Sequence, residues 1–293
     1  MLNGVLAKVL SELTLATYPV FIKIVDISFI KKLIYRFFAF CLISIFFCDI
    51  NVLKKYLFNK DGLLLSFYTL IHIIASYKGY ELLDGGVANS ILYIYPLIIL
   101  YFNNKNYIII YLCILVGLIL LSLDHFNKKN KINSDNKDVQ IIYVKGFFCM
   151  LIAAITEAFI YFSVLNIKTT NNWNHIFISY FFGLILVISF FIINIKIEHE
   201  SLKENLVIDK KNMVFLLFNV FAALFGYYLR FYSMDKINYK LYAILSYLGI
   251  FMTYFYSYMF NNEKLTYLNF IGSFIIILSN VYLLFQADNV ALA

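Results

Sequence analysis

Charge is scarce in this chain. Of 293 residues only 14% are Asp, Glu, Lys or Arg, while 62% are hydrophobic. A soluble protein of this length needs more charge to cover its surface, so the soluble globular classes fall away. The usual marks of catalysis are missing too. There is no glycine-rich phosphate loop, no paired metal-ligand motif, and no polar stretch long enough for an ATP-hydrolysing domain. Enzyme chemistry has little support, no cofactor or metal is expected, and any transport must run on a gradient or on exchange. The four cysteines, Cys41, Cys48, Cys113 and Cys149, sit inside apolar runs with neither metal spacing nor an extracellular pattern, so they read as buried free thiols. The N-terminus has no basic region ahead of its apolar run and no clear small-residue cleavage site. It reads as a first membrane span rather than a signal peptide. The net charge of +7 does not point to nucleic acid. The lysines are scattered through loops such as Lys128-Lys129-Asn130-Lys131, where they meet lipid headgroups or water.

What the chain does have is long apolar runs. The stretch from Tyr228 to Leu284 contains two, joined by the short polar hinge Asn261-Asn262-Glu263-Lys264. About 20 helical residues cross the hydrocarbon core, so each run is long enough to span a bilayer. The runs are continuous rather than short and alternating, which excludes a transmembrane barrel. The expected fold is an all-α polytopic membrane protein with ten transmembrane helices. The spans lie at about 4–25, 33–50, 62–82, 87–103, 107–124, 142–165, 175–195, 212–233, 238–260 and 265–286. Two connections, 124–139 and 196–211, are longer and polar. The first divides the chain into halves of five spans: 1–124, a connecting loop 125–141, 142–286, and a tail 287–293.

The halves resemble each other. Gly4 and Gly146 open spans 1 and 6. Tyr35-Arg36-Phe37-Phe38-Ala39 in span 2 matches Ser179-Tyr180-Phe181-Phe182-Gly183 in span 7. Tyr77 to Asp84 can be laid on Tyr228 to Asp235, and the run Ser90 to Pro96 on Ala243 to Gly249. Phe102-Asn103-Asn104-Lys105 then matches Phe260-Asn261-Asn262-Glu263. An odd number of spans per repeat turns the second half over, so the two become inverted repeats. Such repeats give two alternative conformations and place a substrate site near the midplane.

These residues resemble the EamA-type repeats of the drug/metabolite transporter superfamily. The clearest piece is Glu263 with the glycine-bearing final span around Gly272. In the first half, Leu15 to Lys23 is similar to the family's first helix, and Pro96 falls where the fourth helix carries proline. There are departures: Lys105 stands where the second repeat has Glu263, Gly249 where many members have a second proline, and Leu15 in place of a frequent tryptophan. The resemblance implies ten helices, both termini in the cytoplasm and alternating access through a central cavity. The loop lysines and arginines do not favour that orientation.

Ionisable groups within spans are costly and usually face a cavity or a partner. Glu157, with apolar sequence on both sides, reads as a cavity carboxylate for a substrate amine or a proton, or as a structural partner for a cation. Glu12 in span 1 is either a second such carboxylate or solvated near the surface. Arg230 is expected to contact a substrate carboxylate or phosphate, or to pair with Asp235 or Glu157. His72 is either packed or proton-sensitive. Arg36, following Lys31 and Lys32, reads as an interfacial snorkelling arginine. Lys78 and Glu81 form an i,i+3 pair. Tyr18, Tyr93, Tyr95, Tyr242 and Tyr247 flank the segments that line the cavity in the family, and a ring with a hydroxyl suits cations and planar metabolites. Pro96 and Gly249 are hinge candidates, and Gly85-Gly86 reads as a tight turn.

The reading is a secondary active transporter for a small polar metabolite (an amino acid, amine or nucleoside-like compound), with Glu157 and Arg230 near the substrate and proton coupling left open. The alternatives are an exchanger of phosphorylated metabolites or nucleotide sugars, and a non-transporting assembly or lipid-handling protein. The exchanger needs two cavity cations, and only Arg230 with Lys78 or Lys240 is in view. The expected partners are a small-molecule substrate, membrane lipid and protons, with no nucleic acid and a homodimer left open. The abundance of Asn, Lys, Ile, Phe and Tyr suggests an AT-rich genome. It points to the inner membrane of a bacterium, or to an organelle or plasma membrane of a parasite.

Overall fold

Proline sets the first landmarks. A proline ring clashes with the carbonyl four residues earlier and supplies no N–H to it. Pro19 and Pro96 therefore end helices at Leu15 and Leu92. In the computed structural model, which describes residues 2–103, 112–121, 123, 137–198, 207–264 and 266–290, α1 (Leu2–Leu15) gives way to α2 (Tyr18–Ile24). In the same way α6 (Gly85–Leu92) gives way to α7 (Tyr95–Asn103). A third break, without proline, separates α12 (Tyr239–Ser246) from α13 (Leu248–Asn261) at Tyr247.

The remaining elements are α3 (Phe29–Ile45), the short α4 (Ile50–Tyr56), α5 (Lys60–Leu82), α8 (Leu112–Leu121), α9 (Lys137–Asn166), α10 (Asn172–Glu198), α11 (Lys210–Met234) and α14 (Tyr267–Val290). The described residues contain no strand. Helix occurs within every expected span. Among the described residues, five helical segments are long and apolar enough to cross a membrane: Leu2–Ile24, Ile141–Asn166, Asn172–Ile193, Lys210–Met234 and Leu241–Asn261. Asp49, Asn59, Asp209 and Asn238 cap α4, α5, α11 and α12 with side-chain oxygens. The N–H groups of Asn212 that Asp209 accepts also hold its carboxyl below the ordinary value.

The surface is apolar and the interior polar. Phe46, Phe58, Phe148, Phe190 and Phe255 point outward, while Lys8, Glu12, Arg36, Glu157 and Arg230 are buried. That inversion fits a lipid surround, where charge must be enclosed and paired. The chain is an integral membrane protein.

The most extensive packings join the two halves of the chain. α1 lies against α11, α5 against α9, α3 against α10, and α6 against α13. α8 meets α14 at Gly117 and Gly272, where a Cβ on either residue would come 2.8 Å from the other's carbonyl oxygen.

Several expectations need correction here. Gly85 and Gly86 do not form a turn; they open α6, and no glycine has positive φ. Their smallness admits neighbours instead, since a Cβ on Gly86 would stand 2.1 Å from the Tyr254 ring. Among the cysteines only Cys41 is fully buried; Cys48 and Cys149 are half-buried and Cys113 is exposed on an outward face. Arg36 is not interfacial, because α3 begins at Phe29, earlier than expected, and carries Arg36 into the interior at 1% exposure. Lys105 and most of the connecting loop lie outside the described residues.

Candidate functional site

The site starts from helical spacing. Residues four apart share a face of α1, so Lys8 and Glu12 meet, and Lys8 Nζ donates to Glu12 Oε1 at 2.5 Å. Both are fully buried. The close packing of α11 on α1 then brings Arg230 to the same carboxylate. Arg230 Nη2 donates to Glu12 Oε1 at 3.1 Å, and Nη1 donates to Glu157 Oε1 on α9 at 2.5 Å. Tyr93, in the break between α6 and α7, donates its hydroxyl to Glu12 Oε2. Glu12 is thus buried and triply held rather than solvated. Of the two partners considered for Arg230, the structure selects Glu157.

His72 on α5 closes the chain of contacts. Its Nδ1–H donates to the Ala153 carbonyl at 3.0 Å, and Tyr227 Oη lies 3.2 Å from Nε2. Glu157 Oε2 lies 3.4 Å from the same Nε2 and accepts no hydrogen bond from the described residues. Lys8, Glu12, Arg230, Glu157 and His72 therefore form one buried network drawn from α1, α5, α9 and α11.

Tyrosines sheath it. Lys8 Nζ stands 3.6 Å over the Tyr242 ring, and the Arg230 guanidinium lies 5.8 Å from the Tyr95 ring. Tyr95 Oη pairs with Ser246 Oγ at 2.8 Å. The hydroxyls of Tyr242 and Tyr247 are buried without a hydrogen-bond partner among the described residues, and that of Tyr18 faces Tyr77 alone. Tyr247 sits at the α12–α13 break, away from the ion pairs. Gly249 explains how Tyr93 and Glu12 reach this helix: a Cβ there would lie 2.1 Å from Tyr93 Oη and 2.7 Å from Glu12 Oε2.

A cavity of about 20 Å³ lies beside the network, with Tyr18, His72, Asn89, Tyr93, Tyr227 and Arg230 among its walls. That is room for about one water. Asn89 links it to α13, accepting from Tyr80 Oη at 2.5 Å and donating to Thr253 Oγ1. Glu263, singled out in the hinge, lies elsewhere. It pairs with Lys23 at the end of α2 and accepts the Gly85 N–H at 2.7 Å. Lys78 pairs with Glu81 at 3.2 Å, as its spacing implies, and Lys32 reaches Glu81 at 3.0 Å.

Lys8 and Arg36 were missed as buried cations of the interior. Lys8 had a legible signal, a basic residue four before Glu12 on an apolar helix. Arg36 had none, because its surroundings (Tyr18, Tyr77, Tyr180 and Tyr227) come from four different helices.

Comparison with known families agrees with this architecture. Residues 144–285 match the model of the EamA-like transporter family. No curated protein matches the chain. The matched segment takes in most of α9 and runs through α10, α11, α12 and α13 into α14, supplying Glu157 and Arg230 to the network. Over that segment the chain is similar to the EamA-like transporter family, a match consistent with the drug/metabolite transporter superfamily.

Proposed function

We propose that the protein is a secondary active transporter that moves a small polar metabolite by alternating access. Ten helices would form two inverted five-helix repeats, 1–124 and 142–286. The observation that carries this reading is the buried network at the contact of the two halves. It gathers ionisable side chains of both signs in the interior, beside a cavity that Arg230 and His72 line, where a purely structural core would avoid the cost of desolvating them. The helix pairing supports the repeat. If spans 1 to 5 correspond to spans 6 to 10, the α1–α11 contact corresponds to the α5–α9 contact. The α3–α10, α6–α13 and α8–α14 contacts then correspond to themselves.

On this reading the small central cavity corresponds to a state in which the substrate site is closed. Opening requires the halves to rock, and the breaks at Pro96, near Gly249 and before Pro19 are the places where helices bend without losing further hydrogen bonds. Proton coupling fits the donor count. With Nδ1 donating to Ala153, His72 Nε2 and Glu157 Oε2 are two acceptors 3.4 Å apart. A proton on either one turns that contact into a hydrogen bond. Arg230, Arg36, Lys8, Glu12 and Tyr227 are among the other charged and titratable groups that surround the pair.

Uptake into proteoliposomes tests the proposal, using pooled amino acids, amines and nucleosides with and without an inward proton gradient. Accumulation driven by the gradient is expected in the wild type. Glu157→Gln should lose at least tenfold of it while retaining gradient-independent counterflow. Absence of movement for every pool would sink the transporter reading.

A further inference from the structure

We propose that Arg36 is a docking point for an oxyanion, the carboxylate or phosphate group of the transported metabolite. The identity of that molecule as cargo rests on the transporter reading; the anion site itself does not.

Among the described residues, every other fully buried cation has a carboxylate. Lys8 has Glu12, Lys32 has Glu81, and Arg230 has Glu12 and Glu157. Arg36 has none within 4.0 Å. Its Nε and Nη2 donate to the Tyr180 hydroxyl at 3.2 and 2.8 Å, and Nη1 donates to nothing. A buried arginine left this way is expensive unless something else compensates it. Part of that compensation is aromatic. The guanidinium lies 4.6 Å from the Tyr18 ring, 5.0 Å from Phe40 and 5.5 Å from both Tyr77 and Tyr227. Ring faces stabilise the cation's charge but offer nothing in the plane where its N–H groups point.

Those N–H groups have company. The hydroxyls of Tyr18 and Tyr77 are also buried; they face each other and have no other hydrogen-bond partner among the described residues. With one hydroxyl serving the other, the free guanidinium edge and the second hydroxyl are left as donors awaiting an acceptor. An oxyanion has the lone pairs to take both and the charge to match the guanidinium, and a cation has neither. The ion pairs agree. Glu12 and Glu157 are already engaged by Lys8 and Arg230, so neither is left for Arg36. Tyr18 and Tyr227 both touch Arg36 and line the central cavity. Their rings form the shared wall, and swinging them aside would expose the guanidinium to a substrate there.

The test is thermal unfolding of the full-length protein in neutral detergent, followed by the fluorescence of its single tryptophan, Trp173. Sodium phosphate and sodium succinate are titrated against sodium chloride at equal ionic strength. At least one oxyanion should raise the midpoint by about 2–4 °C, and Arg36→Gln should abolish the rise. Tyr18→Phe keeps the ring, removes one donor, and should raise the half-saturating concentration several-fold. That variant decides the matter if Arg36→Gln does not fold. No rise with either anion, or an equal rise in the wild type and the variants, overturns the site. Repeating the titration in phosphatidylcholine and phosphatidylserine nanodiscs separates the sources: a rise blocked by phosphatidylserine alone would give the site to a lipid headgroup and overturn the metabolite assignment. A phosphate-dependent rise without uptake of any compound would leave the anion site standing and remove the transporter reading.

Discussion

At the scale of single residues, the interior depends on balanced charge. Glu12 accepts from Lys8, Arg230 and Tyr93. Glu12→Gln would leave two buried cations sharing one remaining carboxylate. Removing one partner of a buried ion pair costs about 3–5 kcal/mol. Thermal unfolding in detergent should show that loss, and Lys8→Met in the same chain should recover part of it. A single variant as stable as the wild type would mean that Glu12 is solvated after all. The network was half legible in the sequence. Glu12, Glu157, Arg230 and His72 stand out because an ionisable group inside an apolar run is costly wherever it sits. Arg36 did not, because two lysines precede it and the usual reason for such a cluster is the membrane interface. The rings that surround it are separated by long stretches of chain, and nothing in their spacing announces that they converge.

At the scale of elements, backbone breaks and small residues do different work. Pro19 and Pro96 interrupt helices by the same clash, at the carbonyls of Leu15 and Leu92. The second was visible as a hinge candidate; the first was not used, although the chemistry is identical. Gly249 was read as a weak point in its helix, yet its contacts give a more specific requirement. Tyr93 Oη occupies the space a methyl group would fill. Gly249→Ala should therefore push Tyr93 from Glu12 and destabilise the protein by about 1–3 kcal/mol, read as a lowered unfolding midpoint. A neutral outcome would return Gly249 to the role of simple flexibility. Helix positions were readable from hydrophobic runs, because membrane spans need length and little else. Which faces meet was not, because nearly all faces are apolar.

At the scale of the whole molecule, the two halves interlock helix by helix, and on the alternating-access proposal opposite ends of the bundle must separate in turn for a substrate to pass. One closed end is marked by Lys23 and Glu263. Replacing both with cysteine, in a background lacking the four native cysteines, and bridging them with a short bifunctional thiol reagent should arrest uptake. A bridge cleavable by reductant should restore it. Unchanged uptake in the bridged protein would show that this end does not open during transport. The inverted order of the halves was suggested by ordered sequence matches, and the contacts add a pattern that no alignment of apolar helices supplies.

The same carboxylate has a consequence for direction. Glu263 ties a lysine and the first N–H of α6 together, whereas the position that the sequence match sets opposite it is Lys105. An ammonium cannot accept from a helix N-terminus, so Lys105 carries the wrong sign to repeat that fastening. On the alternating-access reading the two resting forms are then unequal in free energy. The empty carrier spends more of its time facing one compartment, and Glu263 alone supplies part of that bias.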